Sequence, residues 1–258
     1  MTRRGLVVGG VLLATLVGAR SGWAQDVEQP PTPTTARSAE SGIFLPLTLG
    51  SRVGGESAYV TSMSGYDSAR GSALLEGATE IHVFGPLAVR AGAVYTDAGA
   101  TLKPTFGVHV QALRQDKHGV DGSVGVFYKP EGLTEGEGEV EAVFTLGRRV
   151  GRWGMFANLV YGQDPEAAER DGEVRLAALY TLGERTQAGL DTRLRFDLGS
   201  DETKRRAKLE ADLDLLVGPT ASWVIGPIAL IAQSGLSAVR VTDLKLGMIA
   251  LGGIGAAF

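Results

Sequence analysis

The chain has no cysteine in its 258 residues, which excludes disulfides, thiolate chemistry and cysteine-attached lipid anchors. Its three histidines, His82, His109 and His118, lie far apart and leave little material for a metal centre. No metal and no cofactor is therefore expected. A net charge of −4 removes the polycationic signature of nucleic-acid binding. There is no GxSxG elbow, zinc-ligand spacing or phosphate loop, and Gly136-Glu137-Gly138 sits in a polar turn with no helix after it. A membrane-spanning apolar helix is missing as well. Leu6 to Val17 is too short, since a span needs about 20 residues. Leu215 to Val239 carries no charge, but Gly218-Pro219 and Gly226-Pro227 interrupt it, and proline removes a helix hydrogen bond and clashes with the preceding turn.

Glycine is abundant instead, at 37 residues, against a usual share of roughly 7%. Helices tolerate that poorly, whereas tightly turned and closely packed sheets use it. The stretch LDTRLRFDLG, 190–199, sets Asp191, Arg193, Arg195 and Asp197 against Leu190, Thr192, Leu194, Phe196 and Leu198. KLEADLDLLVG resumes the pattern with Lys208, Glu210, Asp212 and Asp214. Period-two alternation marks strands with one apolar and one polar face. From Ile43 onward similar segments repeat, each closed by Gly, Pro, Asp or Asn: Leu75, Ile81 and Val83 oppose Glu76, Glu80 and His82; Val89 and Tyr95 flank Arg90; Phe106, Val108 and Val110 oppose Lys103, His109 and Gln111.

The spacers alternate in length. FGP (84–86), GRRVGR (147–152), LGERT (182–186) and VGPTAS (217–222) are short, while PEGLTEGEG (130–138), QDPEAAERD (163–171) and GSDETKRRA (199–207) are longer and polar. Ten-residue alternating segments joined by short turns on one side and long loops on the other are the pattern of a transmembrane β-barrel. Tyr95, Tyr128, Trp153, Tyr161 and Tyr180 fall near strand ends on the apolar face, where interfacial aromatic belts lie. Two segments also carry helical signals. Asp164-Pro165 is a fair helix start that Gly172 soon cuts, and 201–218 holds Leu209, Leu213 and Leu216 at helical spacing.

If 190–198 and 208–215 pair across the loop with Asp197 opposite Lys208, then Arg195 meets Glu210 and Arg193 meets Asp212. Asp191 and Asp214 then form the one like-charge pair. Opposite charges across a ladder contribute about 0.2–1 kcal/mol each. The expected inward network is Glu80, Arg90, Glu173, Arg175, Asp191, Arg193, Arg195, Asp197, Lys208, Glu210, Asp212 and Asp214, with Glu76, Lys103, Glu139 and Glu141 beside it. Such a row either lines a channel for hydrophilic solutes or fills the interior with salt bridges, and its mixed signs favour pairing over a single-sign selectivity ring. Catalysis needs a positioned Ser–His or Asp–His set. His82 and His109 read instead as members of this network.

The chain opens on Arg3-Arg4, the apolar run and Gly22-Trp23-Ala24, a signal-peptide pattern with cleavage near Ala24. Arg3-Arg4 is also compatible with a twin-arginine signal, which exports folded proteins. The Pro/Thr-rich stretch 25–42 reads as a disordered leader. At the other end KLGMIALGGIGAAF finishes on Phe258, and there the chain resembles bacterial outer-membrane β-barrel proteins, porin-like as a superfamily. Small Gly252 and Ala256 depart from the large alternating apolar residues usual in that final strand, whereas Met248 and Ile254 fit. The resemblance implies that Phe258 is read by the barrel-assembly machinery, and that outer-membrane lipid surrounds the barrel in a diderm bacterium. The expected fold is all-β, an antiparallel up-and-down transmembrane barrel of about 10–12 strands over 43–258. The expected function is passive: a porin-like channel or a salt-bridge-filled barrel. The alternatives are a soluble or peripheral periplasmic ligand-binding protein and, more remotely, an outer-membrane enzyme.

Overall fold

The computed structural model describes residues 58–96, 101–130, 138–165, 169–199 and 211–258. The expected signal peptide 1–24, the leader 25–42 and the first part of the expected barrel, 43–57, lie outside the described residues, as do Lys208 and Glu210. Twelve strands follow in order: β1 Ala58–Asp67, β2 Ser72–Phe84, β3 Leu87–Thr96, β4 Thr101–Leu113, β5 Asp121–Pro130 and β6 Gly138–Val150. They continue as β7 Trp153–Gln163, β8 Arg170–Thr181, β9 Thr186–Asp197, β10 Leu213–Ile225, β11 Ile228–Arg240 and β12 Leu244–Ala257. One helical turn, α1 Gln115–His118, joins β4 to β5. Beside it, but outside the wall, the Arg114 guanidinium donates to Asp116 at 2.8 and 3.2 Å and holds that carboxyl below the usual carboxylate range.

Each strand pairs antiparallel with its sequence neighbour, and β1 pairs with β12 to close the barrel. Tyr59 faces Ala257 across the seam. The Phe258 N–H donates to the Ala58 carbonyl at 2.9 Å, so the last residue extends the closing ladder. Closure satisfies the backbone within the wall, which a lipid environment requires because no water is there to do it. No helix among the described residues is long and apolar enough to cross a membrane. The strands supply the crossing.

The alternation in the sequence becomes the two surfaces of this wall. Outward positions hold Leu75, Ile81, Phe106, Phe144, Leu159, Leu190, Leu236 and Leu246, all exposed on the outside. Inward positions hold Glu80, His109, Ser123, Thr145, Asn158, Glu173, Asp191 and Asp214, all buried. That is a membrane barrel's polarity, apolar outside and polar inside. A soluble sheet-lined protein would reverse it. Aromatic residues follow the strand ends: Tyr66, Tyr95, Tyr128 and Tyr161 stand exposed toward one end, and Phe84, Trp153, Trp223 and Phe258 toward the other.

The two ends differ in their connections. β2–β3 and β10–β11 turn on Gly85-Pro86 and Gly226-Pro227, with φ of 52° and 60° at the glycines. Glycine at the first central position of a two-residue turn matches the twist of a hairpin. The longer segments 131–137 and 198–212 connect strands at the opposite end. Gly218-Pro219 departs from the expected turn at 217–222, because it lies inside β10. A Cβ at Gly218 would collide with the Ser234 carbonyl oxygen of β11. The Gly-Pro pair thus marks a close approach of two strands and not an end. The helical reading of 201–218 fails from Leu213 onward, where β10 begins; its earlier part lies outside the described residues. Likewise Arg170 to Gly172 belong to β8.

Candidate functional site: the barrel lumen

Even and odd positions on neighbouring strands decide which side chains meet inside. Near the long-loop end five strands bring opposite charges together. Lys129 of β5 pairs with Glu141 of β6, Arg175 with Glu173 on β8, and Arg195 of β9 with Asp171 of β8. Arg193 Nη2 of β9 donates to Asp214 Oδ2 of β10 at 2.6 Å. The same oxygen accepts from Arg70 Nη2 at 2.7 Å. Arg70 belongs to the β1–β2 turn, three places around the barrel from β10. Asp67 anchors that turn: its Oδ1 accepts the Ala69 N–H at 2.9 Å, and its Oδ2 lies 3.6 Å from Arg70 Nε. The turn is folded inward, with Ala69 buried.

The expected register of β9 and β10 is off by four residues. Asp214 stands opposite Arg195, Leu216 opposite Arg193 and Gly218 opposite Asp191. An odd shift would have turned the charges outward, whereas an even one keeps every residue on its face. Only the partners change. Asp212 does not meet Arg193: the Asp197 N–H donates to its carbonyl at 3.1 Å, and its carboxylate accepts from Arg240 Nε at 2.9 and 3.1 Å. The like-charge pair of Asp191 and Asp214 does not form. Asp191 is fully buried, and its carbonyl accepts from Gln233 Nε2 at 3.1 Å, which reaches across from β11. Sequence pairing stopped at the nearest loop closure that matched signs, and the longer observed connection, 198–212, was not legible in that match.

Toward the short-turn end the inward groups are of another kind. Arg90 Nη1 lies 3.7 Å from Glu80 Oε2, and His109 Nδ1 lies 3.6 Å from the same oxygen. His109 Nε2 hydrogen-bonds Ser123 Oγ, which in turn shares a hydrogen bond with Thr145 Oγ1. This chain crosses β2, β4, β5 and β6. Ser123 was not legible as part of it, because the neighbour of His109 depends on the β4–β5 register and the irregularity between Gln111 and Leu113. Carboxylate, imidazole and hydroxyl stand in the order of a nucleophile relay. However, His109 is 1% exposed and Ser123 3%, so no substrate atom has room beside the hydroxyl. His82 takes no part; its Nε2 lies 2.7 Å from the Gly85 carbonyl oxygen at the turn. Apolar inward clusters share this end: Tyr59, Val224, Ala229, Ile231 and Ala257 on one side, and Phe156, Ala177 and Leu179 on the other. Among the described residues no group of His, Asp and Glu could hold a metal ion.

A closed twelve-strand antiparallel barrel with an apolar exterior and a polar lumen is a transmembrane β-barrel. Solved outer-membrane porins share the fold. The NanC porin superimposes with a TM-score of 0.59 at 8% identity, covering 77% of this chain and 100% of that one. The KdgM porin gives 0.55 at 4% identity over 78% and 99%. An outer-membrane channel from Pseudomonas putida F1 gives 0.51 at 11% identity over 78% and 94%. No protein-family model matches the chain, and no curated protein matches it in sequence. At these identities the likeness is one of architecture.

Proposed function

We propose that the chain is a narrow outer-membrane channel for small hydrophilic solutes, with a modest preference for anions. One observation carries this reading. In five inward arginine and lysine pairs among the described residues the carboxylate is the more buried partner: Glu80 beneath Arg90, Glu141 beneath Lys129, Glu173 beneath Arg175, Asp214 beneath Arg193 and Asp171 beneath Arg195. The contrast reaches 25% exposure for Arg193 against 3% for Asp214. The acids pack against the wall while the cation tips reach into the lumen, so a solute meets guanidinium and ammonium groups first. Such groups bind carboxylate and phosphate well. Glu76 and Glu139, half-buried on the same face, keep the preference modest. One neighbour, KdgM, has been solved in complex with an oligogalacturonate, which is an anion.

The remaining roles follow from the same reading. Lipid surrounds the exposed apolar band, Phe258 presents the last strand to the barrel-assembly machinery, and residues 1–24 direct export and are removed near Ala24. A second reading, the filled structural barrel, is favoured by the sealing of Asp191, His109, Thr145 and Asn158, all at 2% exposure or less. A water-filled lumen would wet them. Planar-bilayer recording separates the two. A channel shows small unitary steps whose reversal potential in a KCl gradient favours chloride, and Arg193→Gln with Arg195→Gln moves it toward potassium. Absence of any step leaves the filled barrel. Recovery of the protein in a detergent-free soluble fraction overturns both readings.

A further inference from the structure

The outer wall of β6 to β9 is not evenly covered. Outward positions elsewhere on these strands carry Phe144, Leu159, Trp153 and Tyr180, but Ala157 of β7 and Ala178 of β8 are small. Register places Ala157 between Leu146 and Leu176, and Ala178 between Met155 and Leu190. The two alanines form the floor of a groove of about 440 Å³ whose walls are those four larger side chains. One cation, Arg148, lines it. Arg148 is exposed on the lipid side of β6, opposite Met155, two residues from the end of its strand. That is about 7 Å of strand from the turn. No described residue pairs with it.

An arginine on the lipid face costs about 2–4 kcal/mol at the bilayer midplane and close to nothing near the interface. Its place here is near the interface, one diagonal step from Trp153 of β7, whose ring meets that of Tyr180 on β8 edge to face at 5.1 Å. Aromatic pairs of this kind sit at headgroup level. A groove floored by alanine, walled by leucine and methionine and opening on an unpaired guanidinium at headgroup depth has the shape and charge of one occupant. We infer that this groove holds a phospholipid with an anionic headgroup, its phosphate on Arg148 and one acyl chain lying over Ala157 and Ala178. The basic residues of the neighbouring short connections, Lys117 and Arg152, add long-range attraction without touching the groove. Charge within a Debye length of a surface draws anionic lipid.

This inference rests on the membrane reading of the barrel, whose own failure shows separately as detergent-free solubility. The test is native mass spectrometry of the full chain refolded in detergent, with phosphatidylglycerol or phosphatidylethanolamine of matched acyl chains added. Wild-type protein is expected to retain phosphatidylglycerol in preference. Arg148→Gln is expected to lower that retention about ten-fold, the worth of one charge-assisted hydrogen bond. Ala157→Leu with Ala178→Leu fills the groove and lowers retention of both lipids while the cation remains. Heat-modified gel migration establishes that each variant is folded. Arg185→Gln, at a different short connection, leaves retention unchanged. Equal retention of the two lipids, an equal loss in Arg185→Gln, or a dimer that the alanine-to-leucine pair dissolves would each overturn the inference.

Discussion

The two ends of the lumen are built from different chemistry. At the long-loop end, Lys129, Arg175, Arg193 and Arg195 sit over buried acids with their tips partly wet, and Arg70 reaches in from the β1–β2 turn to share Asp214. At the short-turn end, His109, Ser123 and Thr145 are sealed in one hydrogen-bonded chain, with Glu80 Oε2 3.6 Å from His109 Nδ1, beside the apolar clusters of Tyr59 and Phe156. Partly wet ion pairs each contribute little to stability, since water screens them and long side chains lose entropy. Sealed polar chains behave differently. Removing one partner strands another without water, at a cost of about 1–3 kcal/mol. The contrast teaches that the partly exposed charges gather at the long-loop end, while the opposite end is packed to hold the wall together.

The largest expected effect falls on the sealed end. Tyr59→Ala removes a buried aromatic side chain, a change that costs about 3–5 kcal/mol in a packed core, and it widens the short-turn end. Heat-modified migration is expected at a lower temperature, and unitary conductance in bilayers is expected to rise. Unchanged conductance with reduced stability would move the narrowest point elsewhere. Ser123→Ala comes next. It leaves both His109 and Thr145 short of a partner and is expected to lower unfolding free energy by about 1–3 kcal/mol, measured by urea unfolding in detergent, with reversal potential unmoved. The double change Arg193→Gln and Arg195→Gln gives the mirror outcome, a shifted reversal potential with a smaller loss of stability than Ser123→Ala, because Arg70 still holds Asp214 at 2.7 Å. If the double variant instead destabilises more than Ser123→Ala, the contrast between the ends is wrong. The smallest effect belongs to Arg70→Ala. Its side chain is 38% exposed, so global stability is expected to hold, while protease nicking between Ser68 and Gly71 increases as the turn loses its hold on Asp214.

Much of this architecture was readable along the chain. Glu80 against Ile81, Phe106 against His109 and Leu190 against Asp191 already stated which side of the wall each residue would take, because a strand has a period of two. Gly85-Pro86 was readable as a turn and Gly226-Pro227 as a break in the apolar run 215–239. Gly218-Pro219 was not distinguishable from them, since the same dipeptide serves either to reverse a chain or to let two strands approach. The Arg70–Asp214 contact was out of reach for a simpler reason. It joins residues 144 positions apart, and nothing local brings a turn of β1–β2 to β10.

By itself, then, the sequence determined the faces of its clearly alternating segments and the all-β, outward-apolar character of the wall. Both are set within a few residues, by alternation and by the preference of glycine for tight turns. Register, strand closure and the identity of each charge's partner were decided only by the tertiary structure. Shifting β9 against β10 by four residues preserves every face and most of the local energy, so sequence periodicity is blind to it. The barrel as a whole is not, because all twelve ladders must close on one another, and β1 must meet β12 with Tyr59 at Ala257. That single closure condition selects one register from several that the alternating pattern allows.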